Sequence, residues 1–162
     1  MPILLILTIS LSVLPVLTAA KPPSPITADG AGVFVHAHEG HGSHIHYFVF
    51  AVSSAAGSPQ GHFSLVCKHD QQIETIIFST QIDSFTVQSV QGGIMATFSG
   101  TANVKMGTAD FTPGWTFTVT ALDLGKNGDQ IGVTLTNPQD QEHCMVEPTT
   151  LSFGHITVNA KL

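Results

Sequence analysis

The chain contains no arginine, and its positive charge is limited to five lysines among 162 residues. These lysines stand singly along the sequence, and eleven acidic residues give a net charge of −6 at pH 7. A surface that binds nucleic acid or an anionic membrane normally needs clustered Lys and Arg side chains to contact phosphates. The composition therefore argues against both as partners.

Long apolar runs are also scarce, and the longest is the N-terminal stretch from Ile3 to Val13. This stretch is too short to span a bilayer, and small residues ending at Ala20 and then a Pro-rich segment follow it. That order is typical of a secretory signal, although no basic residue precedes the run. We therefore predict a secreted, extracellular protein with no membrane span after signal cleavage. Its predicted parts are a signal peptide at 1–20, a Pro-rich linker at 21–30 and a single β domain at 31–162.

Cysteine is equally rare, because Cys67 and Cys144 are the only two. An even number of cysteines in a chain that is predicted to be exported indicates a disulfide. Closing a loop of this length stabilises a fold by about 4 kcal/mol in the chain-entropy model. The alternatives are two separate buried thiols, or a role for Cys144, next to His143, as a reactive thiol or a metal ligand.

Sequence motifs of hydrolytic enzymes are missing as well. The chain has no Gly-x-Ser-x-Gly nucleophile elbow, and the nearest carboxylate pair, Glu142 and Glu147, sits beside Pro148 in a predicted loop. We therefore expect no catalytic residues and no organic cofactor. A non-enzymatic protein is favoured over an enzyme.

Helical periodicity is nearly absent after the signal, and short alternating runs rich in Val, Ile, Thr and Phe take its place. The clearest run is 115–122, where apolar residues alternate with three threonines, so that one face is core and the other is wet. We predict further strands at 33–38, 44–53, 61–68, 73–79, 83–90, 94–104, 129–136 and 150–159. The fold is therefore predicted to be all-β, an antiparallel sandwich or a closed barrel of about nine short strands.

A family resemblance rests on hydrophobic alternation and turn glycines. The stretches that carry it are 46–51, 61–65, 68–70, 82–87, 96–102, 114–123, 128–129 and 154–158. In these stretches the chain resembles a family of small secreted bacterial and archaeal β domains of unknown function, sometimes labelled post-COAP-type. The resemblance implies a β fold and export, but it implies no activity, and it does not extend to the histidines described next.

Residues 36–46 read His-Ala-His-Glu-Gly-His-Gly-Ser-His-Ile-His and hold five of the nine histidines. The segment is nearly palindromic about His41, which suggests a hairpin with its turn at Glu39 to Ser43. All the paired side chains of such a hairpin would share one face. The predicted pairs are His38 with His44, His36 with His46, and Phe34 with Phe48.

Four histidines on one face would have their Cβ atoms about 5 Å apart across the strands and about 7 Å apart along each strand. Two or three such rings can converge on one ion, and the turn can add a further ligand. Nitrogen donors suit Zn²⁺, Cu²⁺ or Ni²⁺ better than Ca²⁺ or Mg²⁺. We therefore predict a divalent metal ion, zinc or copper, as the partner. The predicted ligands are His36, His38, His44, His46, His41 and Glu39.

Other uses of these residues stay open. The histidines can bind metal adventitiously or sense pH, and the Thr-rich faces can contact an extracellular protein or a glycan. A metalloenzyme would need a pocket beside the histidines. Two weaker clusters also exist. Asp123 to Asp129 resembles a calcium loop or a tight turn, and His62, His69, Asp70 and His143 form either a second metal cluster or solvated strand ends.

Overall fold

The structure is a computed structural model that describes residues 24–38, 42–55, 57–70, 72–139 and 141–160, without the side chains of 38, 42 and 142–145. Within this part of the chain no helix is long and apolar enough to cross a membrane. Nine strands are described, and a short 3-10 turn at Gly125–Asn127 precedes β7. The strands are β1 (Ile26–His38), β2 (Gly42–Ala55), β3 (Ser58–His69), β4 (Gln72–Val90), β5 (Gly93–Met106), β6 (Thr112–Asp123), β7 (Gln130–Thr136), β8 (Glu142–Thr150) and β9 (Phe153–Asn159).

All nine strands belong to one sheet with the order β8-β7-β6-β5-β4-β3-β2-β1-β9. Each neighbouring pair is antiparallel, and consecutive strands are neighbours except that β9 returns to lie beside β1. The sheet is strongly curled, in the form of a half-barrel. The prediction of an all-β antiparallel fold is therefore confirmed, whereas a closed barrel or a sandwich is not.

The hydrophobic core fills the concave face of the curled sheet. Strand β6 shows the alternation most clearly, since Trp115 and every second residue after it as far as 121 are buried. Phenylalanine rings from four strands meet at the centre, with 5.1 Å between the ring centroids of Phe50 and Phe98 and of Phe63 and Phe117. The predicted core face of this strand is thus correct.

Two carboxylates protect the edge of β9, where backbone N–H groups would otherwise lack strand partners. Asp129 Oδ2 accepts a hydrogen bond from the backbone N–H of Ile156 at 2.7 Å, and Asp123 Oδ2 accepts one from Val158 at 3.0 Å. The second oxygen of Asp129 accepts the N–H of Leu124 at 3.0 Å. The spacing of acidic residues that resembled a calcium loop therefore serves to cap a sheet edge.

Strand β4 corrects the predicted boundaries, because the expected strands 73–79 and 83–90 are one continuous strand. Its register against β5 shifts at Thr80 and at Asp83, which identifies two bulges. A bulge accommodates an extra residue without ending the strand. The exposed Thr80 and Gln81, which lie between the two expected strands, are therefore part of β4 beside the buried Ile82.

Two further boundaries differ from the sequence-based expectation. Strand β8 includes the segment around Pro148 that was predicted to be a loop. Proline is tolerated there because β8 lies at the edge of the sheet, where backbone N–H groups on the outer side have no neighbouring strand to bond. Strand β1 begins at Ile26, inside the predicted linker. Its early inward positions carry Ala28 and two glycines, so they show no hydrophobic alternation in the sequence.

The predicted disulfide is not found. Cys67 lies buried on β3 and is not in a disulfide, and Cys144 belongs to β8. Four strands separate β3 from β8 in the sheet order. The even number of cysteines does not produce a disulfide here, because the topology places Cys67 and Cys144 on distant strands of the sheet.

Candidate metal centre

The histidine hairpin has a register two residues away from the predicted one. His36 lies opposite His44, Phe34 lies opposite His46, and His38 lies opposite Gly42. The connection is thus residues 39–41 rather than Glu39 to Ser43, and the predicted cross-strand pairs are wrong. Because the shift is an even number of residues, the histidines on the two strands still share one face.

Glycines explain this register. The large rings of Phe48 and Phe50 lie opposite Gly32 and Gly30 on the concave face. A Cβ atom on Gly30 would lie only 2.8 Å from the Phe50 ring, and one on Gly32 would lie 3.1 Å from the Phe48 ring. The observed pairing therefore places each large ring over a residue that has no side chain, whereas the predicted pairing would set Phe48 against Phe34.

The hairpin between β2 and β3 brings a further histidine into the same row. Its turn includes Gly57, which has a φ angle of +83°, and its register sets His44 opposite His69. The two imidazoles are stacked, with 4.7 Å between their centroids and 10° between their planes. His36, His44 and His69 thus form one row across three adjacent strands.

A bulge in the next strand supplies a carboxylate. Thr75 lies opposite Cys67 and Ile73 lies opposite Lys68, so Glu74 is the extra residue on β4. Bulges redirect side chains relative to the regular pleat. Here Glu74 bridges two imidazoles, with Oε2 3.1 Å from Nδ1 of His44 and Oε1 3.4 Å from Nδ1 of His69.

The triad of His44, His69 and Glu74 has the donor spacing of a metal site. All three side chains are half-buried, and one ligand atom from each lies within 4.8 Å of the others. At a tetrahedral zinc ion, bonds of about 2.0–2.1 Å place neighbouring ligand atoms about 3.3 Å apart. The two imidazole–carboxylate separations are already close to this value, so an ion needs only small side-chain movements to enter.

His46 occupies the neighbouring row, deeper in the fold. It is 2 % exposed, and its ring stacks on Phe34 with 4.5 Å between centroids. Among the described residues neither ring nitrogen of His46 has a hydrogen-bond partner. Burial, followed by the charges of His44 and His36, lowers the pKa of His46 from 6.5 to about 4. The imidazole is therefore neutral at physiological pH and carries a lone pair that can bind a metal.

The side chains of three of the six predicted ligands are described in the structure. His44 belongs to the triad, His36 lies beside it in the same row, and His46 lies in the buried row. The side chain of His38 and all of Glu39 and His41 lie outside the described residues.

The metal-site prediction from the hairpin missed His69 and Glu74. His69 had been placed only in a weaker cluster, together with His143, whose side chain lies outside the described part of the chain. The glycine turn at 57 was a usable signal, because counting back along both strands from that turn sets His69 against His44. No comparable signal marked the Glu74 bulge.

A cavity of about 390 Å³ adjoins the triad. Its lining includes His69 and Glu74 together with Asp70 and Gly107. Asp70 Oδ2 is 3.7 Å from Nε2 of His69, so a second carboxylate approaches the far side of that ring. The triad thus has one side that faces space large enough for water or a small external ligand.

No family model, no curated protein and no solved structure matches this chain. The resemblance to the secreted β-domain family therefore remains a resemblance, and the site is interpreted from its own geometry.

Proposed function

We propose that the protein is a secreted, non-enzymatic β domain that binds a divalent transition-metal ion, Zn²⁺ or Cu²⁺, at His44, His69 and Glu74. The observation that carries the proposal is one carboxylate that approaches two stacked imidazoles at 3.1 and 3.4 Å. Export is supported by the N-terminal sequence pattern alone.

The donor chemistry favours a transition metal over a hard cation. Two imidazole nitrogens and one carboxylate oxygen form a set that suits zinc or copper, whereas calcium and magnesium prefer oxygen ligands. A dication would also exchange the two imidazole–carboxylate contacts for metal bonds. Three protein ligands would leave a fourth position for water on the side of the cavity.

Calorimetric titration of the purified protein with Zn²⁺ and with Cu²⁺ tests the proposal. His69→Gln and Glu74→Gln each remove one ligand, and we expect at least tenfold weaker binding in each. His62→Gln is the matched control, because His62 is an exposed histidine on the same strand, β3, outside the triad. Equal affinities in the wild type and both ligand variants would refute the site.

A metalloenzyme is a second candidate because the cavity lies beside the open side of the triad. A metal with three protein ligands and one water can activate that water for hydrolysis. The distinguishing measurement is metal-dependent hydrolysis of a small activated ester or phosphate ester. Hydrolysis that disappears in Glu74→Gln would favour the enzyme, and its absence in the zinc-loaded protein would favour a binding role.

An interaction module is a third candidate, supported by the hydroxyl-rich surface of β5, β6 and β7. A cavity of about 200 Å³ there is lined by Thr116, Thr118, Thr134, Thr136 and Asp83, among others. Binding to an extracellular glycan or protein that survives chelation and the His69→Gln change would favour this function.

A further inference from the structure

A buried thiol and a buried imidazole face each other next to the triad and take no part in it. Cys67 on β3 lies directly opposite His46 on β2, and both side chains are buried on the concave face. Opposite residues on antiparallel strands have their Cβ atoms about 4.5–5.5 Å apart. A sulfur donor and a nitrogen donor are thus within reach of a shared ion.

His46 itself indicates that a ligand belongs here. A buried polar atom without a hydrogen bond costs about 1–3 kcal/mol, and native structures keep few of them. Both ring nitrogens of His46 are buried and have no hydrogen-bond partner among the described residues. A metal ion bound to one nitrogen would satisfy that atom at a position where the fold offers it no hydrogen bond.

The pair is distinct from the triad but touches it. Cys67 Sγ lies 3.6 Å from Nδ1 of His44, and the rings of His44 and His46 are 6.3 Å apart. Cys67 does not belong to the group whose ligand atoms all lie within 4.8 Å of one another. The sulfur therefore marks a second position, one row deeper than the triad.

We propose that Cys67 and His46 form a second metal site that binds monovalent copper, Cu⁺. Thiolate sulfur is a soft ligand that selects Cu⁺, and imidazole also suits copper. When Cu⁺ binds, the Cys67 thiol releases its proton to solvent, a copper–sulfur bond forms, and copper keeps its oxidation state. The site uses no ligand of the triad, so it does not depend on the proposed function.

Charge explains the choice of a monovalent ion. A thiolate, a neutral imidazole and Cu⁺ sum to zero charge, whereas the same ligands with Zn²⁺ or Cu²⁺ carry one positive charge. Burying an unpaired charge among apolar side chains is costly. On the side of His46, the surrounding is apolar, because Phe34 stacks on its ring and the buried Phe48 lies beside Phe34. The inner pair therefore favours Cu⁺, and the half-buried triad takes the dication.

Anaerobic titration with Cu⁺ tests the second site. The protein to use is Cys144→Ser, in which Cys67 is the only cysteine, so that any thiolate-to-copper absorption band reports that residue. A chromophoric Cu⁺ chelator in competition gives the affinity. We expect one tightly bound Cu⁺ per chain that produces the band.

Three additional changes in this background separate the two sites. Cys67→Ala should abolish the band, and His46→Phe, which keeps a ring on Phe34, should weaken Cu⁺ binding at least tenfold. His69→Gln should retain the band and the Cu⁺ affinity even though it loses Zn²⁺ affinity.

Two results would overturn the Cu⁺ proposal, and both can be read without reference to zinc. One is the absence of the thiolate-to-copper absorption band from the Cys144→Ser protein. This result does not depend on whether a variant of Cys67 folds. The other is unchanged Cu⁺ affinity in Cys67→Ala. Failure of the proposed metal site at the triad would give a different result, namely equal Zn²⁺ affinities in the wild type and the His69→Gln variant.

Discussion

His46 makes the stability of the metal-free protein depend on pH on the acidic side of neutrality. Its pKa is lowered from 6.5 to about 4 in the folded state, chiefly by burial and further by His44 and His36. Between these two pKa values the unfolded chain binds a proton at this residue and the folded protein does not. Acidification therefore favours unfolding. The contribution of the neutral His46 to the free energy of unfolding is fully present only above pH 6.5, the pKa of this residue in the unfolded chain.

The size of the effect follows from the shift in pKa. One pKa unit corresponds to about 1.36 kcal/mol, so a shift of about 2.5 units corresponds to about 3 kcal/mol. Most of this free energy of unfolding is lost as the pH falls from 6.5 to about 4. That loss is a large fraction of the roughly 5–15 kcal/mol by which native proteins are stable.

Urea denaturation at a series of pH values measures this loss. The perturbation is His46→Phe, which removes the titrating group and keeps an aromatic ring to stack on Phe34. Both proteins are held in a chelator so that no metal competes with protons. We expect the difference in free energy of unfolding between variant and wild type to shift by about 3 kcal/mol in favour of the variant from pH 7 to pH 4.

Taking the difference between the two proteins largely cancels the titration of residues far from His46. A difference that stays constant within about 1 kcal/mol from pH 7 to pH 4 would refute the assignment of a buried, neutral His46.

Two further predictions concern the scaffold. Gly154 has a φ angle of +110°, and a Cβ atom there would lie 2.1 Å from the backbone oxygen of Ala31, so Gly154→Ala should destabilise the protein by about 2 kcal/mol or more. Gly57→Ala is the matched control, because its φ is also positive but no atom lies within 4 Å of the added carbon; a cost as large as that at Gly154 would contradict the steric argument. Asp129→Ala removes the acceptors of two backbone N–H groups and should cost about 2–3 kcal/mol. Hydrogen exchange at the Ile156 amide should become faster in this variant, and unchanged exchange would show that the carboxylate does not hold the edge strand.

Much of the fold was accessible from the sequence because its strands follow period-two alternation. The run at 115–122 was predicted with the correct inward face, and the core of β5 and β6 follows the same pattern. The predicted number of strands agrees with the structure, but two errors cancel in it. One strand was divided at its bulges, and β8 was missed because a proline on an edge strand resembles a loop.

The candidate site was less accessible, because it depends on registers rather than on composition. The near-palindrome at 36–46 identified the correct face, but glycines opposite Phe48 and Phe50 set a register that symmetry did not indicate. His69 comes from another hairpin and Glu74 from a bulge, so neither is close to the predicted histidines in sequence. The pairing of His69 with His44 could be counted from the glycine turn at 57, whereas the bulge at Glu74 follows from backbone geometry that residue patterns do not specify.

The two rows of side chains in this region together favour a metal role over an ordinary network of polar contacts. Ion pairs between Glu74 and the two histidines would explain the triad alone, since pairs of this type near the surface are common and contribute little to stability. They do not explain the neighbouring row, where neither ring nitrogen of the buried His46 has a hydrogen-bond partner among the described residues, at a cost in stability. Sequences retain local costs of this kind mainly at functional sites, where a ligand offsets them. The buried imidazole opposite a buried thiol therefore supports the proposal that this part of the sheet binds metal.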